Sequence, residues 1–231
     1  MSLKIGGFQE LSLLDYPGKI SSIIFLLNCN FRCKYCYNAD LLSVDSFTRS
    51  SRKEFSVSKV LNYLQSHKHM LDGVVITGGE PTVNPDVVEF IRKIKSIGLL
   101  VKLDTNGSNP TLLKQLIDEK LIDYIAMDIK APLQKYKELC GYDNVSNIKA
   151  SLEILKISNI LREFRTTMWP QLTKEDILEI TKLIPQEKLY LQHLSQDNAL
   201  TDEARTIKNY TLLDIEEMVD SINHNCTILI R

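Results

Sequence analysis

Residues 73–107 read GVVITGGEPTVNPDVVEFIRKIKSIGLLVKLDTNG. The opening GVVIT is a short apolar run of β-branched residues, stopped by Gly78-Gly79, and predicts a buried strand over 73–77. Residues 85–97 place Val87, Val88, Phe90, Ile91, Ile94 and Ile97 at helical spacing. Asn84 before Pro85 predicts an N-cap with proline in the first helical position, and Gly98 predicts the stop. A second apolar run, 99–103, ends at Asp104-Thr105-Asn106-Gly107. A strand, a helix and a strand joined by short connections form a right-handed crossover between parallel strands.

The same alternation continues on both sides. Upstream lie a strand over 21–27 and an amphipathic helix over 57–70 with Val60, Leu61 and Leu64. Downstream come a helix over 110–119, a strand over 124–129, a helix over 145–158 and a strand over 164–168. A helix over 173–183 follows, with Thr173 and Asp176 as a capping box, then a strand over 188–193, a helix over 210–223 and a short strand over 227–230. The sheet is expected to be parallel. About six strand–helix units are too few for a closed eight-stranded barrel, which takes roughly 250 residues. An incomplete, splayed (β/α)6 barrel or a doubly wound open sheet remains. No linker or low-complexity segment interrupts the chain, so residues 1–231 read as one domain.

Polar residues punctuate the C-terminal ends of these strands: Cys29, Gly78-Gly79-Glu80, Asp104 to Gly107, Asp128-Ile129-Lys130, Arg165 and His193. Parallel α/β folds bind ligands at that edge. Six segments therefore converge on one face. The segment after the first predicted strand reads Asn28-Cys29-Asn30-Phe31-Arg32-Cys33-Lys34-Tyr35-Cys36-Tyr37-Asn38, a Cys-x3-Cys-x2-Cys spacing. Thiolates so close can occupy neighbouring corners of an iron–sulfur cube, and no fourth cysteine stands nearby to complete the usual set. Three ligands leave one iron open. The competing readings are three buried cysteines on one helical face, and a zinc site, which usually shows four ligands.

The chain has 231 residues, 44% hydrophobic and 25% charged, with 28 Lys plus Arg against 29 Asp plus Glu. Such a composition is that of a globular protein and excludes disorder. The net charge of −1 gives no basic excess for nucleic acid. The longest apolar run, from Ile23 to Leu27, is too short to span a membrane, and the first residues lack the apolar stretch of a signal peptide. Three of the five cysteines lie within eight residues, which suits a reducing compartment and a metal site rather than a disulfide framework. A cytoplasmic protein is expected.

At these residues the sequence resembles the radical S-adenosylmethionine superfamily, an incomplete (β/α)6 barrel with parallel strands. The superfamily's Cys-x3-Cys-x-aromatic-Cys loop binds a [4Fe–4S] cluster whose open iron chelates S-adenosylmethionine. Cys29, Cys33 and Cys36 take the positions of the ligands and Tyr35 that of the aromatic. Gly78-Gly79-Glu80-Pro81 looks like the motif that contacts the amino group of S-adenosylmethionine. Leu14-Asp15-Tyr16-Pro17-Gly18-Lys19 looks like the glycyl-radical-enzyme activases, and more narrowly the activators of anaerobic ribonucleoside-triphosphate reductase. One departure is Tyr37, where activases commonly carry histidine after the third cysteine. Tyr37 keeps an aromatic face beside the cofactor.

The resemblance implies further cofactor contacts. Asp104, Thr105 and Asn106 would lie beside the methionyl part. Asp128 with Asp104 could hold a monovalent cation near the carboxylate, and Lys130 shares the side of the strand that Asp128 occupies. Arg165 could bind a carboxylate through its forked donors. His193 would meet the ribose or adenine. Cys140, Cys226 and Trp169 read as packing residues. The implied reaction is reductive cleavage of S-adenosylmethionine to a 5′-deoxyadenosyl radical, fed by reduced flavodoxin or ferredoxin. The radical would then abstract hydrogen from a glycine of a partner glycyl radical enzyme, the anaerobic ribonucleotide reductase. The rivals are a radical enzyme acting on a small molecule and a non-catalytic iron–sulfur or zinc-binding protein.

Overall fold

The computed structural model describes residues 3–49, 53–197 and 199–231. Met1 and Ser2, which head the segment read for a leader, lie outside them. The elements in chain order are β1 (Ile5–Ser12), β2 (Ser21–Leu26), α1 (Val44–Arg49), α2 (Val57–His67), β3 (Gly73–Gly78), α3 (Val87–Ile97), β4 (Leu100–Thr105) and α4 (Pro110–Asp118). They continue with β5 (Tyr124–Asp128), α5 (Tyr136–Cys140), α6 (Val145–Ile157), β6 (Leu161–Thr167), α7 (Lys174–Leu183), β7 (Lys188–Gln192), α8 (Asp202–Thr206), α9 (Leu212–Asp220) and β8 (Thr227–Ile230).

The strands form one sheet in the order β1-β2-β3-β4-β5-β6-β7-β8, and every pair from β2 onward is parallel. A doubly wound sheet reverses its strand order at a switch point; this order never reverses. It is the order of a barrel, and among the described residues β1 does not pair with β8, so the barrel stays open. β1 is the departure from a wholly parallel sheet. It pairs antiparallel to β2 as a hairpin on the edge, and the pattern Ile-Gly-Gly-Phe-Gln-Glu hid it because two glycines and two polar residues dilute the alternation.

Alternation along each strand divides the core. Ile24, Leu26, Val74, Ile76, Val101, Leu103, Ile125, Met127, Phe164, Leu189 and Leu191 belong to the main core with the apolar faces of the helices. The opposite faces line the inside of the half-barrel. Tyr16, Ile23 and Val75, with Phe25, Leu100 and Tyr124, make its apolar floor. Charged residues sit above that floor, at the C-terminal ends.

Local signals hold at most helix ends. Gly98 closes α3 in the left-handed region at φ 95°, and Thr173 with Asp176 forms the expected capping box on α7. Asn84 does not cap α3. The helix starts two residues later than expected, at Val87 with Asp86 in the N-cap position, so Pro85 is not its first residue either. The Asn84 side-chain amide instead donates to the carbonyl of Leu27 at 3.1 Å.

Candidate functional site

The loop after β2 forms no helix through the three cysteines, which removes the reading of one helical face. Asn28 turns the chain in the left-handed region at φ 74°. Backbone bonds then pin the loop from outside: Asn28 N–H to Leu41 O at 2.9 Å, Cys29 N–H to Leu42 O at 3.2 Å, Arg32 N–H to Cys140 O at 2.7 Å and Lys34 N–H to Leu139 O at 3.1 Å. Loop position is thus fixed by neighbouring segments before any metal binds.

The end of β3 lies against this loop. Gly79 N–H donates to Leu26 O at 2.9 Å and Glu80 N–H to Asn28 O at 2.8 Å. A Cβ on Gly79 would stand 2.2 Å from the Asn28 carbonyl oxygen, and one on Gly78, at φ 117°, would stand 2.3 Å from the Leu26 nitrogen. Both glycines therefore serve close approach of backbone to backbone, besides lining the cavity below.

Glu80, in the same motif, binds its own chain. It is buried; Oε1 accepts from Thr82 N at 3.0 Å, Thr82 Oγ1 at 2.5 Å and Thr105 Oγ1 at 2.8 Å, while Oε2 accepts from Asn106 N at 2.7 Å. Burial raises its pKa, and the Thr82, Asn106 and Thr105 donors pull the other way. Glu80, Thr105 and Asn106 together tie the β3 loop to the β4 loop. Asn106 also donates to Asn30 Oδ1 at 3.1 Å, and Asn30 donates to Ser108 Oγ at 2.8 Å. The cysteine loop is thereby tethered to the β4 loop. No sequence pattern marked Asn30 for this.

A buried ion-pair ladder spans neighbouring strands β4, β5 and β6. Lys102 Nζ donates to Asp104 at 2.6 Å, Arg165 reaches Asp104 at 3.0 Å and Asp128 at 2.7 Å, and Lys130 Nζ donates to Asp128 at 2.7 Å. Burial opposes ionisation of both carboxylates, but Arg165 with Lys102 holds Asp104 below the usual carboxylate range, and Arg165 with Lys130 holds Asp128 well below it. Burial likewise opposes the charge on Lys130 and Arg165, and the carboxylates outweigh it. Three cations face two carboxylates, so the ladder carries one net positive charge, suited to a carboxylate ligand. Lys102 was missed, although its position two residues before Asp104 on one strand was the available signal.

The remaining candidates sit around the rim. Tyr35 is buried and stacks on Trp169 with ring centroids 5.7 Å apart. Its hydroxyl has no protein partner, an orphan that a bound group would satisfy. Tyr37 is 52% exposed. His193, exposed just past β7, places Nε2 2.9 Å from Tyr210 O.

All these residues line one cavity of about 440 Å3: Cys29, Cys33, Cys36, Tyr35, Tyr37, Gly78, Gly79, Glu80, Asp104, Thr105, Asn106, Asp128, Lys130, Arg165 and His193. Asp15, Asn38, Thr167 and Gln192 join them. The donor set fits an iron–sulfur cluster, since three soft thiols line the same cavity. Among the described residues, no three His, Cys, Asp or Glu side chains are already gathered as around a single ion. Burial pushes the thiols up, Cys29 to about 12 and Cys36 to about 11. His67 and His69 do not line the cavity and so offer no fourth ligand there.

A family model described as the Radical SAM superfamily matches residues 23–184. A Methanocaldococcus jannaschii protein named among glycyl-radical enzyme activating enzymes is 35% identical over 215 residues, covering 90% of this chain and 86% of its own. The pyruvate formate-lyase-activating enzyme of Clostridium pasteurianum is 25% identical over 235 residues, covering 89% and 94%. Two solved structures share the fold. Streptococcus suis SuiB bound to S-adenosylmethionine superposes with a TM-score of 0.63 at 16% identity over 89% of this chain, which spans 48% of the SuiB chain. TYW1 with a lysine–pyruvate adduct gives a TM-score of 0.59 at 18% identity, covering 87% of this chain and 72% of that one.

Proposed function

Because the chain belongs to the radical SAM superfamily and groups with its glycyl-radical-enzyme activating members, we propose that it generates a glycyl radical on a partner enzyme, an anaerobic ribonucleoside-triphosphate reductase. The observation that carries this reading is the single cavity shared by three thiols and the Arg165 ladder. A [4Fe–4S] cluster with S-adenosylmethionine supplies one-electron chemistry that yields a 5′-deoxyadenosyl radical.

The chain's own residues position and enclose. Cys29, Cys33 and Cys36 would hold the cluster. Arg165 and Lys130, fixed by Asp104 and Asp128, aim their donors where a cofactor carboxylate would lie. A monovalent cation between Asp104 and Asp128 needs those carboxylates to turn from the guanidinium that now bridges them. Tyr35 and the backbone of Gly78-Gly79 close one side, Tyr37 and His193 the rim.

The cavity favours a macromolecular hydrogen donor. Its volume of about 440 Å3 lies low in the roughly 300–1,000 Å3 range of a single small-ligand site. With S-adenosylmethionine inside, a second enclosed substrate has little room, so the donor reaches in from outside as a segment of chain. The reductase is preferred on the Leu14 to Lys19 segment. We read residues 1–231 as one domain, working in a reducing cytoplasm with reduced flavodoxin or ferredoxin as electron donor. No helix among the described residues is long and apolar enough to cross a membrane.

The test mixes reduced protein, S-adenosylmethionine and the reductase without oxygen. A glycyl radical in the electron paramagnetic resonance spectrum, with 5′-deoxyadenosine, is expected. Appearance of 5′-deoxyadenosine with a small molecule, and of no glycyl radical on any partner, would overturn the activase reading. The pocket makes a separate prediction. Asp128→Ala removes the carboxylate that fixes Lys130 and Arg165 in place and should weaken S-adenosylmethionine binding several-fold through lost positioning, against the gain in positive charge. His193→Ala, at the rim, should cost a few-fold. Iron content should stay unchanged in both, and unchanged affinity in both would remove the assigned roles.

A further inference from the structure

Lys102 stands behind the ion-pair ladder. Register on β4 sets it between Val75 of β3 and Tyr124 of β5, over the apolar floor that those two residues help to form. Its side chain is 3% exposed, and it is not among the residues lining the cavity. A charge buried on apolar ground needs a partner, and alternation puts Asp104 on the same side of the strand. Lys102 Nζ donates to Asp104 Oδ1 at 2.6 Å. The other oxygens of the two ladder carboxylates are taken in the same way. Asp104 Oδ2 accepts from Arg165 Nη1 at 3.0 Å, Asp128 Oδ1 from Arg165 Nε at 2.7 Å and Asp128 Oδ2 from Lys130 Nζ at 2.7 Å. Each of the four carboxylate oxygens thus faces a cation of the chain itself.

We propose that Lys102 takes the place of a metal cation at Asp104, so that S-adenosylmethionine binds without added sodium or potassium. The proposal rests on the reading of the ladder as the counter-charge of the cofactor carboxylate. A hard cation is held by oxygens, and here an ion entering at Asp104 would have to displace the Lys102 ammonium or the Arg165 guanidinium. It would also bring a further positive charge to a ladder in which three cations already face two carboxylates, where burial makes unpaired charge costly. Unlike a dissolved ion, Lys102 is tethered to the site at every salt concentration. With Lys102 on Oδ1, Asp104 keeps Oδ2 for Arg165, which does line the cavity. Without Lys102, two cations would face two carboxylates, the ladder would lose its net charge, and Asp104 Oδ1 would be bare beside the space the ammonium had filled. A small cation could then occupy that space and restore the charge. Lys102 is a positioning residue, since it acts on the cofactor through Asp104 and Arg165.

The test measures S-adenosylmethionine affinity by anaerobic calorimetry on reconstituted full-length protein. The protein is desalted into buffers of equal ionic strength whose cation is potassium, sodium or tetraethylammonium. Screening is then the same in each, and only the two small ions can sit at a buried carboxylate. Wild type should bind equally in all three. Lys102→Met, similar in length but uncharged, should bind several-fold more weakly in tetraethylammonium and recover in potassium or sodium. A role in packing alone would weaken binding by the same factor in every salt. Wild-type affinity that rises several-fold with either small ion would overturn the proposal, as would a Lys102→Met variant that binds equally in all three. No binding by wild type in any salt would remove the ladder as the carboxylate site, and the proposal with it. The wild-type series decides the matter even if the variant folds poorly.

Discussion

Alanine at Cys29, Cys33 or Cys36 is expected to leave anaerobically reconstituted protein without its cluster, while Cys140→Ala and Cys226→Ala keep about four irons per chain, as a cubane requires. The asymmetry follows from placement. The first three thiols line the cavity, and the last two do not. Loss should be nearly complete in each of the three because two thiolates leave two corners of the cube without protein ligands. Iron and sulfide analysis with ultraviolet–visible spectra checks it. Loss of iron in either distal variant would break the three-ligand assignment.

Gly79→Ala should be strongly damaging although it removes no cluster ligand. Its Cβ would meet the Asn28 carbonyl oxygen at 2.2 Å, with the Asn28 carbonyl carbon at 2.7 Å. Backbone cannot swing aside as a side-chain end can. The conflict can relax only by pushing the β3 end and the cysteine loop apart, against the bonds from Gly79 N–H to Leu26 and from Glu80 N–H to Asn28. Overpacking of this kind costs about 1–3 kcal/mol, or roughly 3–10 °C in Tm for a chain of this size. Iron retention should fall as well, because Cys29 follows Asn28 directly. Thermal unfolding and iron content are the readouts. A Gly98→Ala control separates the two effects: no atom lies within 4 Å of its added Cβ, so only the strain of φ 95° remains and iron should be retained.

Sequence carried the parallel part of the fold because strands buried on both faces are continuous apolar runs, as in 73–77 and 99–103. The edge strand β1 escaped it, since Gly6 and Gly7 erase the pattern and its pairing is a hairpin. Asn84 shows a local signal losing to a tertiary bond, since its amide is taken by the Leu27 carbonyl and α3 starts only at Val87. The cavity residues were legible as types at strand ends, and the structure brings every one of them to the same cavity. What each side chain does there was less legible. Glu80 is held by Thr82, Thr105 and Asn106, bonds that cross 25 or more residues to the β4 loop, and no periodicity encodes them. The tether from Asn106 through Asn30 to Ser108 was hidden for the same reason. The ladder was half legible: alternation put Asp128 and Lys130 on one side, but only strand register brings Arg165 opposite Asp128.

The account stands most directly on where the abstracted hydrogen comes from. A partner reductase grown with glycine deuterated at the α-carbon should be mixed with reduced protein and unlabelled S-adenosylmethionine, and the 5′-deoxyadenosine weighed by mass spectrometry. Deuterium in 5′-deoxyadenosine, rising together with the glycyl radical, is the predicted result. Unlabelled 5′-deoxyadenosine produced at the same rate with the labelled partner as without it would contradict the account.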